Sequence, residues 1–318
     1  MAGTHRIGID LGGTNIKGGT CDDQGRLLVQ HSIATEADGG FEHVLSRMAL
    51  LVDELVDRTQ GFRQDIAVVG VGAPGPMSHA EGIIHGAPNL PGFVNVPLRD
   101  RFAEITGLPV SLENDANAAA YGEFVAGAGK DVHNMVMLTL GTGIGGGIVM
   151  GGRLLRGFFD NAGEIGHTII VPNGRPCPCG QNGCLERYAS ANALAERLSE
   201  AVQGGEESTL RPVVESDQPF DARDVLKAAD ADDALAARIW DETCFYLALS
   251  VVNIQHVLNP ELVVFAGGLI NAGPRLTERV NTHFDQLAWK IAPDAPRTAL
   301  ATLGTDAGTI GAALLAGS

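Results

Sequence analysis

The sequence is short of basic residues. It contains 22 lysines and arginines against 38 aspartates and glutamates, which gives a net charge of −16 at pH 7 and a pI of about 4.9. Proteins that bind nucleic acids or anionic membranes by general electrostatic attraction need a basic surface that displaces counterions from phosphates. The composition therefore disfavours such partners, and a small neutral or metal-chelated substrate is easier to accommodate.

Long apolar runs are also missing. No run approaches the roughly 20 residues that a membrane-spanning helix needs, and the N-terminal segment MAGTHR leads into a predicted strand without the apolar core of a signal peptide. We therefore expect a cytoplasmic protein. The chain of 318 residues is long enough for two lobes, and its 45% hydrophobic and 19% charged residues are typical of a globular enzyme.

The number of cysteines is odd, and three of the five lie between residues 177 and 184. Such a set favours a metal site in a reducing compartment over a disulfide framework. With one histidine, these thiols provide a closed tetrahedral ligand set for a structural Zn²⁺: His167, Cys177, Cys179 and Cys184. The ion would clamp the loop that carries Glu164 and Glu186. The alternative is a group of thiols that binds no metal.

Neither a P-loop nor a dinucleotide-binding loop is present, but there are two other glycine-rich turns. IGIDLGGTNIKGG (7–19) and MLTLGTGIGGGIV (137–149) each connect two apolar, strand-like runs. No Gly-Lys-Ser/Thr closes either turn, and the second turn leads into a strand rather than a helix. The turns are either simple hairpins or two walls of one phosphate site. The neighbouring Asp10, Thr14 and Thr142 favour the phosphate site.

The apolar pattern predicts an α/β protein with two similar lobes. The predicted strands are 6–11, 15–21, 26–34, 66–71, 109–112 and 262–266, and the predicted helices are 41–59, 97–106, 115–126 and 234–257. Helix 234–257 fits either a core or an interface. Residues 203–220 are interpreted as a surface loop without chemistry, and residues 304–316 as a turn and an apolar helix that packs back on the first lobe.

Both halves repeat the order of glycine hairpin, strands and helices, which indicates a weak internal duplication. We place the N-terminal lobe at residues 1–113 plus 303–318. The C-terminal lobe then covers residues 114–302 and carries the zinc loop.

Asp115 is the candidate catalytic base. In LENDANAAAYGE it follows a strand and opens a helix, where backbone N–H groups position a carboxylate that can still project into a cleft. The alternative is that Asp115 is only the N-cap of the helix. Phosphoryl transfer to a hydroxyl needs a proton acceptor, donors around the phosphates and a divalent cation. Asp115, the two glycine turns and Asp10 fit these roles.

The chain resembles the ROK family of sugar kinases and repressors, within the superfamily of actin-like sugar kinases and heat-shock ATPases. The matching segments are GIDLGGTNIKGG, GVGAPGPM, LENDANAAAYGE, LGTGIGGGIVMGG, NAGEIGHT, CPCGQNGCLE and FAGGL, which lie in the family's order over residues 7–268. The resemblance implies a two-lobe, actin-like (RNase H-like) α/β fold with ATP and sugar in the cleft between the lobes. It also implies a homodimer.

The same resemblance implies a set of site residues. Asp115 would be the base, and the sugar would be held by Gly75, Asn89, Asn114, Asp115, Glu164, His167 and Glu186. The nucleotide would be surrounded by Gly12, Gly13, Thr14, Lys17, Thr142, Gly143 and Gly268. Asp10 is added to this MgATP set from its place directly before the first glycine turn. Lys17 has a simpler interpretation as a solvated lysine on a strand. Because glycine permits close approach of the backbone, we expect a Cβ at Gly143 to raise the KM for ATP and to leave sugar affinity nearly intact.

The family includes both kinases and repressors, and the sequence favours a kinase. Repressors carry a helix-turn-helix segment before the first phosphate strand, whereas six residues precede Ile7 here. A sugar-sensing module without activity is the alternative from a different class. The expected reaction is transfer of the ATP γ-phosphoryl group to the 6-hydroxyl of glucose. CPCGQNGCLERYAS resembles the glucokinase and N-acetylhexosamine kinase branches, so N-acetylglucosamine and N-acetylmannosamine stay open as substrates.

Overall fold

The computed structural model describes residues 5–59, 65–87, 89–216, 218–291 and 294–316. Parts of two sequence interpretations lie outside these residues, namely positions 1–4 of the N-terminal segment and position 217 of the stretch 203–220. Among the helices in the described ranges, none is long and apolar enough to cross a bilayer.

Strands and helices alternate along the chain. The strands are β1 His5–Leu11, β2 Asn15–Cys21, β3 Leu27–Ala34, β4 Ile66–Ala73, β5 Met77–Ser78, β6 Ile83–Ile84, β7 Val110–Asn114, β8 Met135–Leu140, β9 Ile144–Met150, β10 Arg153–Leu154, β11 Leu262–Ala266 and β12 Arg297–Leu300. The helices are α1 Gly40–Arg58, α2 Leu98–Thr106, α3 Asp115–Ala126, α4 Glu186–Ala189, α5 Ala191–Gln203, α6 Arg211–Glu215, α7 Ala222–Asp230, α8 Ala234–Val257, α9 Pro274–Leu287 and α10 Ala307–Leu315.

The strands form two five-stranded sheets with one shared topology. Their orders are β3-β2-β1-β4-β7 and β10-β9-β8-β11-β12, and β5 and β6 form a small separate ribbon. In the first sheet β1 is antiparallel to β2 and parallel to β4, while β11 of the second sheet is parallel to β8 and β12. Each sheet thus combines a three-strand meander with two further strands beside its first strand, as the expected internal duplication requires.

The chain folds into two compact units. The first contains the described parts of Met1–Asn134, Gly147–Gly163 and Thr302–Ser318, and the second contains those of Met135–Gly146 and Glu164–Ala301. The first unit includes α3, which the sequence analysis assigned to the C-terminal lobe. The reason is packing, because α3 lies against α10. The lobe boundary between residues 113 and 114 stays a prediction.

The first unit is built on close contact between its sheet and the last helix. A Cβ on Gly8 of β1 would lie 1.8 Å from the Thr309 carbonyl oxygen, and a Cβ on Gly70 of β4 would lie 1.9 Å from that of Ala312. Only glycine permits this approach of α10. The final helix therefore packs on the first sheet, as the sequence predicted. On α1, the apolar positions at helical spacing are buried.

The second unit has α8 at its centre. Thirteen residues of α8 are buried, and the helix packs against α5, α7 and α9. Of the two interpretations of this helix, the core role is therefore observed. The stretch 203–220 is not only a loop, because it contains the short helix α6.

Candidate active site

The carboxyl ends of three parallel strands meet at one edge of the first sheet. Asp10 of β1 pairs in register with Gly72 of β4, and the next residue of β4, Ala73, pairs with Asn114 of β7. Asp115 follows directly. In α/β sheets, ligands bind at the carboxyl ends of parallel strands. This edge therefore brings the two candidate aspartates, Asp10 and Asp115, into the same region of the first unit.

Asn114, and not Asp115, caps helix α3. Its Oδ1 accepts hydrogen bonds from the backbone N–H groups of Ala116 at 2.9 Å and Asn117 at 3.2 Å. Asp115 is the first helical residue, it is half-buried, and its Oδ1 lies 2.8 Å from the Ala116 nitrogen. The interpretation of Asp115 as the N-cap is therefore wrong, and the carboxylate sits on a turn that its neighbour stabilises.

Glu113 is a buried residue beneath this turn that the sequence analysis missed. Its Oε1 accepts hydrogen bonds from the Asn114 backbone at 3.1 Å and the Asn117 side chain at 3.0 Å. Its Oε2 accepts one from Arg156 Nε at 2.7 Å. A buried carboxylate with three donors is electrostatically satisfied and fixes its partners. The signal available in the sequence was an acidic residue between the apolar Leu112 and the pair Asn114-Asp115.

The first glycine turn lies against the segment that contains Asn89. A Cβ on Gly13 would lie 2.9 Å from the Asn89 carbonyl oxygen, so two residues assigned to different ligands are adjacent. The Thr35 hydroxyl donates to the Gly12 carbonyl at 2.7 Å and holds the turn. Gly75 has a φ of +90° and approaches the Gly86 carbonyl so closely that a Cβ would lie 2.0 Å from it. Thr14 is exposed.

Asp10 lies in a partly buried position next to the start of α10. Burial raises the pKa of its carboxyl, and the charge of Lys17 opposes this shift. Lys17 is the direct cross-strand partner of Asp10 on β2, and it is half-buried rather than fully solvated. A Cβ on Gly308, in the first turn of α10, would lie 3.1 Å from a carboxylate oxygen of Asp10. The positive end of a helix dipole thus faces this acid.

In the second unit, the turn between β8 and β9 contacts Glu186. Glu186 Oε2 accepts a hydrogen bond from the Ile144 backbone N–H at 2.9 Å. A Cβ on Gly143 would lie only 2.2 Å from the same oxygen. One oxygen of a residue assigned to the sugar is therefore engaged by the turn that was assigned to the nucleotide.

The four predicted metal ligands come together. One ligand atom from each of His167, Cys177, Cys179 and Cys184 lies within 4.8 Å of all the others. His167 Nδ1 lies 3.7 Å from Cys177 Sγ, and the sulfurs of Cys179 and Cys184 are 3.6 Å apart. A tetrahedral zinc ion with Zn–S bonds of about 2.3 Å holds sulfur ligands roughly 3.7 Å apart. The donor set and its spacing therefore fit Zn²⁺.

The three thiols differ in their electrostatic environment. The Gln181 backbone N–H holds the pKa of Cys179 down to about 7, whereas burial raises the pKa of Cys177 and raises that of Cys184 to about 12. Cys177 and Cys184 thus keep their protons at neutral pH unless a cation displaces them. On the other side of the ring, His167 Nε2 lies 4.0 Å from Glu164 Oε2, and Glu164 is exposed.

A cavity of about 600 Å³ lies within the second unit. Its wall includes Thr142, Asn192, Phe220, Leu226, Gly268 and Asn271. Thr142 and Gly268 were predicted to contact the nucleotide, and the structure places both in this wall. Phe220 belongs to the stretch that was interpreted as a surface loop without chemistry. The structure places its side chain in the cavity wall, and the absence of chemistry in this stretch stays a prediction. The wall also carries charged residues of both signs, namely Glu196, Asp221, Arg223, Lys227, Asp230 and Arg275. A cavity of this size is typical of small-ligand sites.

Comparison with known proteins identifies the family. The sequence matches the ROK family over residues 6–318. The chain belongs to the ROK family. Among curated relatives, a glucokinase of Halalkalibacterium halodurans is 39% identical over 312 residues, which cover 98% of this chain and 94% of that protein.

Solved ROK structures share the fold of this chain. The ROK hexokinase from Thermus thermophilus has a TM-score of 0.86 and 34% identity, covering 98% of this chain and 97% of that one. A ROK family glucokinase from Streptomyces griseus, solved in complex with glucose and AMPPNP, has a TM-score of 0.79 and 31% identity, covering 98% and 99%. These similarities confirm the predicted family and the predicted two-lobe, actin-like α/β fold class.

In this ROK protein, the predicted site residues divide between the two units. The first unit holds Asp10, Gly12, Gly13, Thr14, Lys17, Gly75, Asn89, Asn114 and Asp115. The second unit holds Thr142, Gly143, Glu164, His167, Cys177, Cys179, Cys184, Glu186 and Gly268. Within the first unit they gather at the carboxyl edge of the sheet. Within the second they lie on the β8–β9 turn, the cavity wall and the cysteine loop.

Proposed function

We propose that this protein is an ATP-dependent hexose kinase that transfers the γ-phosphoryl group of MgATP to the 6-hydroxyl of glucose. One observation carries the proposal. Asp115 stands at the carboxyl edge of the first sheet, directly after the N-cap residue Asn114, in a chain that is 39% identical to a glucokinase. A carboxylate fixed in this way is suited to accept the proton of an attacking hydroxyl.

In the proposed reaction, the sugar hydroxyl gives its proton to Asp115 while its oxygen attacks the γ-phosphorus. The bond from the γ-phosphorus to the bridging oxygen breaks, and ADP leaves. Asn114 supports the sugar through its amide NH₂ group, which has no hydrogen-bond partner among the described residues, and Gly75 and Asn89 lie nearby on the same unit. Glu113 fixes the turn beneath Asp115 by accepting a hydrogen bond from the Asn114 backbone. The fixed turn holds the Asp115 carboxylate in position to act as the base.

In the first unit, the phosphates and their cation are assigned to the first glycine turn and Asp10. Gly12, Gly13 and Thr14 form the first turn, which the Gly12 N–H closes by donating to the Asn15 carbonyl at 3.1 Å. The backbone donors assigned to the phosphates are therefore those of Gly13 and Thr14, and Lys17 contributes positive charge. Asp10 fits a divalent cation because a nearby dication favours its ionised form, which burial disfavours. Mg²⁺, when bound, neutralises the charge that develops on the transferred phosphoryl group.

The second unit is assigned to the nucleoside and to further sugar hydroxyls. The cavity walled by Thr142, Phe220 and Gly268 has the size and the mixed lining that a nucleoside needs. Gly143 lies on the turn beside it. Glu164, His167 and Glu186 supply acceptors and a ring nitrogen for sugar hydroxyls.

We assign His167, Cys177, Cys179 and Cys184 to a structural Zn²⁺. Four protein ligands leave no open position for water, so the ion would stabilise the loop and would not take part in the reaction. His167 is suited to two tasks, because Nδ1 faces Cys177 and Nε2 faces Glu164. The nitrogen directed to Glu164 is the one available to a sugar.

A panel assay tests the reaction and the sugar together. Purified protein with MgATP is given glucose, mannose, fructose, N-acetylglucosamine or N-acetylmannosamine, and ADP release is measured. We expect the highest kcat/KM with glucose, while a higher value with an N-acetylhexosamine would favour that alternative. Absence of ADP release with every sugar, or DNA binding that depends on sugar, would support the regulator instead. A homodimer and a cytoplasmic location stay predictions, and light scattering tests the homodimer.

A further inference from the structure

Glu186 contacts the β8–β9 turn through one carboxylate oxygen and leaves the other open. Its Oε2 accepts the Ile144 N–H at 2.9 Å and lies against Gly143, where a Cβ would be 2.2 Å away. Among the described residues, Oε1 has no hydrogen-bond partner. The two carboxylate oxygens of Glu186 are therefore in different situations: Oε2 is bonded to the turn, and Oε1 can accept a hydrogen bond from a ligand.

The same turn is held by the segments on both sides of the cysteine cluster. On the N-terminal side, Gly166 approaches the Ile144 carbonyl so closely that a Cβ would lie 2.0 Å from its oxygen. On the C-terminal side, the Ala191 N–H donates to the Gly141 carbonyl at 2.9 Å. With the Glu186 bond, these contacts leave little freedom to the backbone at residues 141–144.

We propose that Glu186 couples sugar binding to nucleotide binding, with Oε2 positioning the turn at residues 142–144 and Oε1 accepting a sugar hydroxyl. The inference rests on the proposed kinase function. A hydroxyl on Oε1 fixes the plane of the carboxylate, and this fixes Oε2 and the Ile144 N–H. The turn then loses less freedom when phosphates bind, so sugar increases the affinity for the nucleotide. By linkage, the nucleotide increases the affinity for the sugar by the same factor.

Two substitutions of Glu186 separate the hydrogen bond from the charge. Glu186→Gln keeps the side-chain length and an oxygen that accepts from Ile144, but it loses the charge, and its amide NH₂ meets the sugar hydroxyl as a donor in place of the acceptor Oε1. Glu186→Asp keeps the charge but is one methylene shorter and cannot reach. Glu186→Ala removes both. The dissociation constant of the non-hydrolysable analogue AMPPNP is measured by calorimetry, with and without saturating glucose, after circular dichroism and zinc content have shown each variant to be folded.

In the wild type and in Glu186→Gln, we expect glucose to tighten AMPPNP binding about fivefold or more. In Glu186→Asp and Glu186→Ala, the effect of glucose should disappear, and AMPPNP should bind about tenfold more weakly even without sugar. Glu164→Gln is the matched control. It changes the other acidic residue beside the cysteine cluster, which makes no contact with the turn among the described residues, so it should weaken glucose binding and keep the coupling at saturation.

Three outcomes would overturn the inference. If glucose still tightens AMPPNP binding in Glu186→Ala, Glu186 does not couple the two ligands. If the effect of glucose is lost equally in the Gln and Ala variants, the charge of Glu186 and not its hydrogen bond is responsible. Independent binding of glucose and AMPPNP by the wild type would refute the coupling and leave the kinase function standing. A wild type that binds neither ligand would instead refute the proposed function itself.

Discussion

Gly143→Ala is the substitution for which the structure changes the expectation most. The sequence predicted an effect on ATP alone, because the glycine was assigned to close backbone approach to phosphate. In the structure, the new Cβ would lie 2.2 Å from Glu186 Oε2 and 3.1 Å from its Cδ. These separations are shorter than any van der Waals contact, so the carboxylate has to move. We therefore expect the substitution to affect both substrates.

The size of the effect follows from the bond that is lost. A displaced Glu186 leaves the Ile144 N–H without its charged acceptor, and a hydrogen bond to a charged group contributes about 1.5–3 kcal/mol. Since about 1.4 kcal/mol corresponds to a factor of ten, kcat/KM for ATP should fall roughly 10- to 100-fold. Because Oε1 moves with Oε2, the KM for glucose should also rise, by about tenfold if one similar contact is lost.

Steady-state kinetics with ATP and glucose varied in turn will measure both effects. Gly268→Ala is the comparison, because its Cβ would meet no atom within 4 Å and any loss there must come from the nucleotide itself. We expect Gly268→Ala to change only the KM for ATP. If Gly143→Ala also raises the KM for ATP while glucose binding stays at its wild-type value, the reasoning from the Glu186 contact is refuted.

Three further predictions concern the first sheet and the cysteine cluster. Asp115→Asn should lower kcat by roughly 10²-fold or more with a smaller change in glucose affinity, and near-normal turnover would exclude Asp115 as the base. Elemental analysis should find about one zinc per chain. Cys179→Ser should release this zinc and weaken glucose binding, and a zinc-free protein with full glucose affinity would contradict the prediction. Because burial raises the pKa of Asp10, ionisation opposes folding above the ordinary value of 3.8. Asp10→Asn should therefore increase the free energy of unfolding at pH 7 but not near pH 3, which urea titrations at both pH values can check.

Much of the fold was predictable because local patterns and packing agree. Helix α8 and strand β11 have the predicted ends, and α1 differs by one residue at each end. These elements have regular apolar spacing, and their burial follows that spacing. Strand β7 runs two residues further than predicted, to Asn114, because pairing with Ala73 of β4 continues into the polar residues. Pairing with a neighbouring strand is tertiary information that local hydropathy does not contain.

The candidate site was predictable where residue type alone identifies the chemistry. The four predicted metal ligands lie close together, as expected, because three cysteines and a histidine at this spacing are typical of a zinc site. Asp115 as the base stays a prediction. That Asn114 and not Asp115 caps the helix was not predicted, since both residue types cap helices well. Glu113 and Arg156 were missed because their pairing joins positions 43 residues apart. The position of Phe220 in the cavity wall was not predicted, because the residue lies in a polar stretch and local sequence does not show where the fold places its side chain.

The position of the cysteine loop suggests what the proposed Zn²⁺ would contribute to this protein. Between residues 172 and 182 only Cys177 is buried, so this segment gains little from apolar packing and orders at a cost in conformational entropy. Arg175 anchors it at one point through two 2.6 Å hydrogen bonds, which form a bidentate ion pair with Glu200. A bound Zn²⁺ offsets the entropy cost. Glu186 follows the last ligand by two residues and accepts a hydrogen bond from the Ile144 N–H. We therefore expect an ordered cysteine loop to order the β8–β9 turn as well, and removal of zinc should weaken AMPPNP binding as well as glucose binding.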